Sequence, residues 1–242
     1  MNQRKAILVM GAGDATGGAI AKRFAREGYV ACVARRHADK LQPLVEAIEA
    51  EGGTARAFGC DARVEEQVQA LFATIEQDVG PLEAVVFNIG ANVQFSIGDT
   101  TERVYRKVWE MAALAGFLTG REAARVMQPR ARGTIIFTGA TASLRGRANF
   151  SAFAGAKFAL RALAQSMARE LGPQGIHVAH PIIDGAIDTA FIRETFPELY
   201  QRKEQDGILN PEHIAETYWQ IHCQPRDCWV HELDLRPWTE TF

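Results

Sequence analysis

The sequence predicts a single α/β domain built on a doubly wound parallel sheet of about seven strands. Short apolar runs alternate with helical segments along the chain, and no linker rich in Pro, Gly or Ser interrupts the pattern. Strands that alternate with helices of this length form parallel sheets with helices on both faces. The 242 residues are 47% hydrophobic and 23% charged, which is the composition of an ordinary globular domain.

The predicted elements follow one another in a regular order. Strands are expected at residues 6–10, 29–34, 54–60, 82–88, 133–139, 175–183 and 228–235. Helices lie between them, and the two longest cover residues 101–128 and 149–171. The segment between Asp188 and Pro211 breaks this rhythm. We therefore predict a substrate lid at about residues 188–210.

Charge and cysteine usage exclude several classes of function. A net charge of −2 argues against a nucleic-acid or anionic-membrane partner. No apolar stretch approaches the length that spans a bilayer, and the first run, residues 6–10, is too short for a signal-peptide core. The four cysteines form no CxxC pair and match no zinc spacing, so we expect no metal site. Reduced thiols favour a cytoplasmic location.

A glycine-rich turn follows the first strand. The stretch GAGDATGGAIA, residues 11–21, opens a helix, and glycines there let the backbone approach a pyrophosphate beside free N–H groups. The turn lacks the third glycine of GxGxxG, because Thr16 occupies that position. It fits a GxxxGxG spacing better, with Gly11, Ala15 and Gly17. This placement indicates a Rossmann-type dinucleotide site.

From this turn onward the sequence resembles the short-chain dehydrogenase/reductase family over nearly its full length. Further markers stand in the family's order: Asp61 after the third strand, Asn88 and Gly90 in FNIGA, Lys157 in the YxxxK helix, and DGAIDT after the sixth strand. The resemblance implies an enzyme that binds a nicotinamide dinucleotide. The residues it assigns to the cofactor are Gly11, Gly13, Asp14, Ala15, Thr16, Gly17, Arg35, Arg36, Asp61, Ala62, Asn88, Gly90, Lys157, Gly185 and Thr189.

The end of the second strand indicates which nicotinamide cofactor is preferred. NAD-binding members place an acidic residue there, whereas this chain has Ala34 followed by Arg35 and Arg36. A guanidinium binds the 2′-phosphate of NADP through paired, charge-assisted hydrogen bonds. Asp14 opposes this preference, because its carboxylate would repel that phosphate. NADP(H) is the predicted cofactor, with NAD(H) as the alternative.

The family's catalytic set is incomplete in this sequence. In the family a tyrosine transfers the proton, a lysine one turn later lowers the pKa of that tyrosine, and a serine and an asparagine assist. The corresponding positions here hold Phe153, Ala140 and Ala112, and only Lys157 is retained. Phenylalanine and alanine carry no group that transfers a proton or holds an oxyanion. The resemblance implies that Lys157 still binds the nicotinamide ribose.

Three functions stay open at this point. The first is an oxidoreductase with atypical proton handling that acts on a small carbonyl or conjugated substrate. The second is a catalytically silent, dinucleotide-binding regulator or scaffold, and the third is a lyase or isomerase. Candidate pocket residues are Thr141, Ser143, Phe153 and Asp184. The family resemblance also implies a homodimer or homotetramer that pairs through helices 101–128 and 149–171.

Overall fold

The computed structural model describes residues 4–241 and contains one parallel sheet. Its strands are β1 (Ala6–Met10), β2 (Val30–Arg35), β3 (Thr54–Gly59), β4 (Leu82–Phe87), β5 (Gly133–Phe137), β6 (Gly139–Ala140), β7 (Ile176–Ile183) and β8 (Glu232–Leu235). The spatial order is β3-β2-β1-β4-β5-β7, and both β6 and β8 pair with β7. All pairings are parallel, which confirms the predicted fold class.

Helices cover both faces of the sheet. They are α1 (Thr16–Arg26), α2 (Gln42–Ala50), α3 (Glu65–Asp78), α4 (Glu102–Trp109), α5 (Ala115–Met127), α6 (Ser151–Leu171), α7 (Ala190–Thr195), α8 (Pro197–Tyr200) and α9 (Pro211–His222). A π-helical turn, Glu110–Leu114, joins α4 to α5. Among residues 4–241, no helix combines the length and the apolar character that crossing a bilayer requires.

The core lies on the two faces of the sheet, because side chains of a strand alternate between them. On one face α3, α5 and α6 pack against alternate strand residues such as Leu8, Phe87 and Phe137. On the other face the core includes Phe24 of α1 and Tyr218 of α9. Every residue of β1, β4 and β7 is buried, as expected of central parallel strands.

The last strand and the helix before it differ from the prediction. The last strand begins at Glu232 rather than at residue 228, because Pro225 to Cys228 form a turn closed by a backbone hydrogen bond. The sequence analysis assigned no element to Pro211–His222, which is helix α9. Asn210 caps this helix by accepting a hydrogen bond from the Glu212 N–H, and Pro211 occupies its first turn.

The strand order reverses beside β1. Strands β2 and β3 lie on one side of β1, and β4, β5 and β7 lie on the other. The connections therefore leave a crevice outside the carboxyl ends of β1 and β4, the position where ligands bind in sheets of this kind. The fold places the glycine turn, residues 11–14, at this crevice.

Candidate active site

A cavity of about 370 Å³ opens at the crevice. Its lining comes from the glycine turn, the end of β2, the segment after β3 and the segment after β4. The lining residues are Met10 to Asp14, Arg35 to His37, Cys60 to Arg63, Asn88 to Gly90 and Met111. The volume lies within the range of small-molecule sites. Nine of the residues that the sequence assigns to the cofactor thus meet in one cavity.

The glycine turn has the shape that close backbone approach requires. Gly11 has φ +91°, and a Cβ there would lie 2.8 Å from the Ile89 side chain. A Cβ at Gly17 would lie 2.8 Å from the Gly11 carbonyl oxygen, whereas one at Gly13 would meet nothing within 4 Å. The Asn88 amide donates to the Gly11 carbonyl at 3.3 Å. The turn is therefore closely packed at Gly11 and Gly17 and open at Gly13, which leaves room for a bound phosphate group.

One wall of the cavity carries three guanidinium groups. Arg35 ends β2, Arg36 follows it, and Arg63 lies in the segment after β3. Arg63 holds the Asp61 carboxylate with hydrogen bonds of 2.9 and 2.6 Å and thereby lowers the pKa of Asp61. Arg63 was not among the predicted site residues. Its position two residues after Asp61 is the signal that could have identified it.

Lys157 is buried beneath the carboxyl end of β5. Its Nζ atom donates to the Thr138 carbonyl at 2.9 Å, and burial lowers the pKa of Lys157 to about 8. The Thr138 hydroxyl accepts a hydrogen bond from Tyr218 of α9 at 2.9 Å. Thr138 therefore joins Lys157 on one face of the sheet to Tyr218 on the other.

The three residues that the resemblance assigns to the tyrosine, serine and asparagine positions lie close together. Phe153, Ala112 and Ala140 belong to one apolar cluster, with Ala112 in the π-helical turn and Phe153 in the first turn of α6. The Phe153 ring is 8% exposed, and its centroid lies 5.9 Å from Lys157 Nζ. The positions are neighbours in space, but the contacts between them are apolar.

Beside this cluster lies a polar group formed by Thr141, Asp184 and Arg145. The Thr141 hydroxyl donates to Asp184 Oδ1 at 2.6 Å, and the Arg145 guanidinium lies 3.4 Å from the same oxygen. Ser143 is fully buried, and its hydroxyl accepts from the Ala140 N–H at 3.2 Å. Of the four predicted pocket residues, Thr141 and Asp184 are thus in direct contact.

The remaining cofactor candidates lie outside the cavity lining. Ala15, Thr16 and Gly17 form the start of α1, below the turn. Gly185 has φ +150° and packs against Pro237 near the carboxyl end of β7. Thr189 caps α7, because its hydroxyl accepts from the Ile192 N–H at 3.1 Å. No three His, Cys, Asp or Glu residues within the described part of the chain form a group that could hold a metal ion.

A model of the short chain dehydrogenase family matches residues 5–199. The chain belongs to the short-chain dehydrogenase family. The short-chain reductase protein NovJ of Streptomyces niveus is 30% identical over 90% of this chain and 86% of its own length. The crystal structure of a short-chain dehydrogenase from Rhodopseudomonas palustris is 48% identical, with a TM-score of 0.84 over 97% of this chain and 99% of that one.

Two solved structures with the same fold contain nicotinamide cofactors. A 7α-hydroxysteroid dehydrogenase in complex with NADH and a 7-oxo bile acid is 26% identical, with a TM-score of 0.87 over 97% of this chain and 93% of that one. An actinorhodin polyketide ketoreductase with NADPH is 20% identical, and its TM-score of 0.86 over 97% of this chain and 96% of that one shows the shared fold alone. Both proteins are oxidoreductases by name.

Proposed function

We propose that this short-chain dehydrogenase is an NADP(H)-dependent oxidoreductase with an atypical active site, acting on a small carbonyl or conjugated carbonyl compound. The observation that carries the proposal is the cavity that joins the glycine turn to Arg35 and Arg36. Ala34 stands before these arginines, so β2 ends without an acidic residue. A phosphate-binding glycine turn beside guanidinium groups favours a cofactor with a phosphorylated ribose.

Charge within the cavity supports NADP(H) over NAD(H). Three arginines line it, against the carboxylates of Asp14 and Asp61. Asp61 is already paired with Arg63, so Arg35 and Arg36 are the cations left to bind a 2′-phosphate. The exposed Asp14 carboxylate is the opposing charge in the glycine turn. Because related structures contain either NADH or NADPH, the preference rests on the residues of this chain.

The second part of the proposal is the loss of the usual proton donor. Phe153 occupies the tyrosine position, and the sequence has no tyrosine between Tyr105 and Tyr200. A bound reduced nicotinamide supplies a hydride to a carbon atom, so the chain has to bind the substrate, exclude water and supply the proton. We expect Lys157, which is held against the Thr138 carbonyl, to donate to the ribose of that cofactor.

Binding measurements test the choice of cofactor. The Arg35→Ala/Arg36→Ala double variant is expected to bind NADPH roughly 10- to 100-fold more weakly, a loss of about 1.5–3 kcal/mol in charge-assisted hydrogen bonds. Its affinity for NADH should change less than threefold. Arg56→Ala is the matched control, because Arg56 contacts the Asp78 carbonyl and does not line the cavity. Equal weakening for both cofactors would contradict NADP(H) preference.

Turnover measurements test the reaction class. NADPH oxidation should be followed with a panel of simple ketones, enones and enoyl thioesters. In Phe153→Tyr, a new phenol one helical turn before Lys157 is expected to raise ketone reduction. A protein that binds NADPH but consumes it with no substrate, in either form, would instead be a dinucleotide-binding regulator.

The lid belongs to the same proposal. Helices α7 and α8 and the turn Gln201–Gln205 occupy the predicted segment, with Phe191 and Phe196 exposed in edge-to-face contact at 6.0 Å. The Trp238 indole donates to the Gln205 carbonyl at 3.0 Å and attaches the C-terminal segment to the lid. Exposed aromatic rings in the segment after β7 favour an apolar part of the substrate.

Self-association is the remaining proposal about partners. Tyr105 and Trp109 of α4, Phe117 of α5 and Phe158 of α6 are each more than 40% exposed, on the helices expected to pair. Covering such rings in a homodimer or homotetramer would remove them from water. Phe117→Glu and Phe158→Glu should shift the protein to monomers in analytical ultracentrifugation, whereas Phe196→Glu in the lid should not. The cytoplasmic location stays a prediction from the cysteines.

A further inference from the structure

The carboxylate of Asp184 is the most completely buried charge beside the substituted catalytic positions. Asp184 is 0% exposed and accepts the Thr141 hydroxyl hydrogen bond at 2.6 Å through Oδ1. Within residues 4–241, its Oδ2 atom is buried and has no hydrogen-bond partner. Arg145 approaches from the solvent side at 3.4 Å and offsets part of the cost of burying this charge. A buried carboxylate with a free acceptor site needs a functional explanation.

Strand register brings Thr141 and Asp184 together. Ala140 of β6 pairs with Ile183 of β7 in the parallel ladder. Thr141 and Asp184 directly follow these two paired residues, so they lie side by side just beyond the carboxyl edge of the sheet. Ala140, at the usual serine position, packs against the apolar cluster that contains Phe153. The pair therefore lies next to the place where the family's proton donor would stand.

The direction of the hydrogen bond limits what the pair can bind. A threonine hydroxyl has one proton and two lone pairs. Because Thr141 gives its proton to Asp184, its lone pairs are free to accept a proton donor from outside. Thr141 is partly exposed, whereas Asp184 is not. The arrangement thus presents an acceptor to a substrate hydroxyl, with a carboxylate behind it.

We propose that Thr141 and Asp184 form the proton-transfer pair of this enzyme and that its substrate is a secondary alcohol or the corresponding ketone. This inference rests on the proposed function. Thr141 is the catalytic residue that contacts the substrate oxygen, and Asp184 is the positioning residue that takes or returns the proton through Thr141. The pair replaces the missing phenol and commits the substrate to the alcohol–ketone class rather than to an isolated double bond.

The proton balance follows from the two hydrogen bonds. In alcohol oxidation the substrate O–H bond breaks and its proton goes to Thr141 Oγ, while the Thr141 proton passes to Asp184. A bound oxidised nicotinamide would accept the carbon-bound hydrogen with its electron pair, which would leave a ketone. After the ketone leaves, the proton on Asp184 passes back to Thr141 Oγ, and the partly exposed Thr141 hydroxyl gives its own proton to water. In ketone reduction every transfer is reversed, and the proton comes from the carboxylic acid form of Asp184.

The test uses the full chain and measures cofactor binding before turnover. NADPH affinity of Thr141→Val and Asp184→Asn should remain within threefold of wild type, because neither residue lines the cofactor cavity. Turnover with secondary alcohols and NADP, and with the matching ketones and NADPH, should fall about 100-fold or more in both variants through kcat, the size of a lost proton-transfer group. Thr141→Ser should retain most of the activity, since it restores the hydroxyl.

Two further measurements separate catalysis from structure. The solvent isotope effect on kcat should be only slightly smaller in Thr141→Ser than in wild type. It should disappear in Thr141→Val, which lacks the hydroxyl. Without cofactor, the thermal shifts of Thr141→Val and Asp184→Asn should be non-additive in the double variant, because the two share one hydrogen bond. Thr119→Val is the control, since the Thr119 hydroxyl donates to the Ala115 carbonyl within α5.

The outcomes separate the inference from the function on which it rests. Failure to bind either nicotinamide cofactor would overturn both. Normal binding with kcat within threefold of wild type in Thr141→Val and Asp184→Asn would overturn the inference alone. Normal wild-type binding without turnover of any alcohol or ketone would also overturn it. If Asp184→Asn does not fold, Thr141→Val and Thr141→Ser decide between these outcomes.

Discussion

The Nζ atom of Lys157 donates a hydrogen bond of 2.9 Å to the carbonyl oxygen of Thr138, at the point where β5 ends. The ammonium group is therefore held by a neutral oxygen inside the protein, and burial lowers the pKa of Lys157 from 10.5 to about 8. Burial of this ammonium group lowers the stability of the fold. Because no tyrosine lies one turn before it, its presence needs another functional reason.

The first prediction concerns that cost. Because the pKa is lower in the folded state, the unfolded chain binds more protons between about pH 8 and 10.5, and Lys157 makes unfolding less favourable as the pH rises through this window. The free energy of unfolding of Lys157→Met relative to wild type should thus decrease by on the order of 3 kcal/mol from pH 7 to pH 11. Urea denaturation of both proteins at several pH values measures this difference, and Lys107→Met on exposed α4 is the control. A constant difference would contradict a buried, destabilised ammonium.

A second prediction concerns Gly139 and His180. A Cβ at Gly139 would lie 2.7 and 2.8 Å from two atoms of the fully buried His180 ring. Gly139→Ala should therefore destabilise the protein by about 1–3 kcal/mol through overpacking. In a His180→Ala background the same change should cost much less, because the ring is gone. Chemical denaturation of the two single variants and the double variant measures this coupling, and additive effects would exclude the contact.

A third prediction concerns the ion pair between α6 and β8. Arg161 donates to both oxygens of Glu232 at 2.8 and 2.7 Å, and these bonds lower the pKa of Glu232 to about 2. A lowered carboxyl pKa stabilises the fold above about pH 4.5, and the contribution is lost as the pH falls toward 2. Glu232→Gln should lower the free energy of unfolding by about 1–3 kcal/mol at pH 7.

Denaturation at pH 7 and pH 3 tests this ion pair. The difference between wild type and Glu232→Gln should be smaller at pH 3, because the Glu232 carboxyl of the unfolded chain is then protonated and folding has to release that proton. Glu102→Gln is the matched control, since the Glu102–Arg106 pair lies on the exposed surface of α4. If the Glu232→Gln difference stays the same or grows at pH 3, Arg161 is not the origin of the stabilisation.

A fourth prediction concerns the C-terminal segment and the lid. Trp238 is 79% exposed, and its indole N–H donates to the Gln205 carbonyl. Trp238→Phe keeps an aromatic ring but removes this donor, so amide hydrogen exchange should accelerate several-fold in residues 190–205 while the sheet is unaffected. Trp229→Phe is the control, because Trp229 stacks on His177 away from the lid. Unchanged exchange in residues 190–205 would show that Trp238 does not restrain the lid.

Local sequence patterns determined the fold and predicted a dinucleotide site at the glycine turn. Apolar runs and the glycine turn correctly predicted the parallel sheet, with six strands close to their observed bounds, because strand burial and phosphate-binding turns are properties of short segments. Lys157 was identified by its spacing in α6. The sequence also has no tyrosine between Tyr105 and Tyr200, whatever the fold, and Phe153 stays the predicted tyrosine position.

Only the tertiary structure decided which side chains meet. Thr141 and Asp184 are 43 residues apart, and the β6–β7 register alone makes them neighbours. The His180 ring fits only because Gly139 on another strand has no side chain. Helix α9 was not predicted, yet it supplies Tyr218, whose hydroxyl donates a hydrogen bond to the Thr138 hydroxyl. These contacts depend on strand register and helix packing across the sheet, which the periodicity of a single segment does not encode.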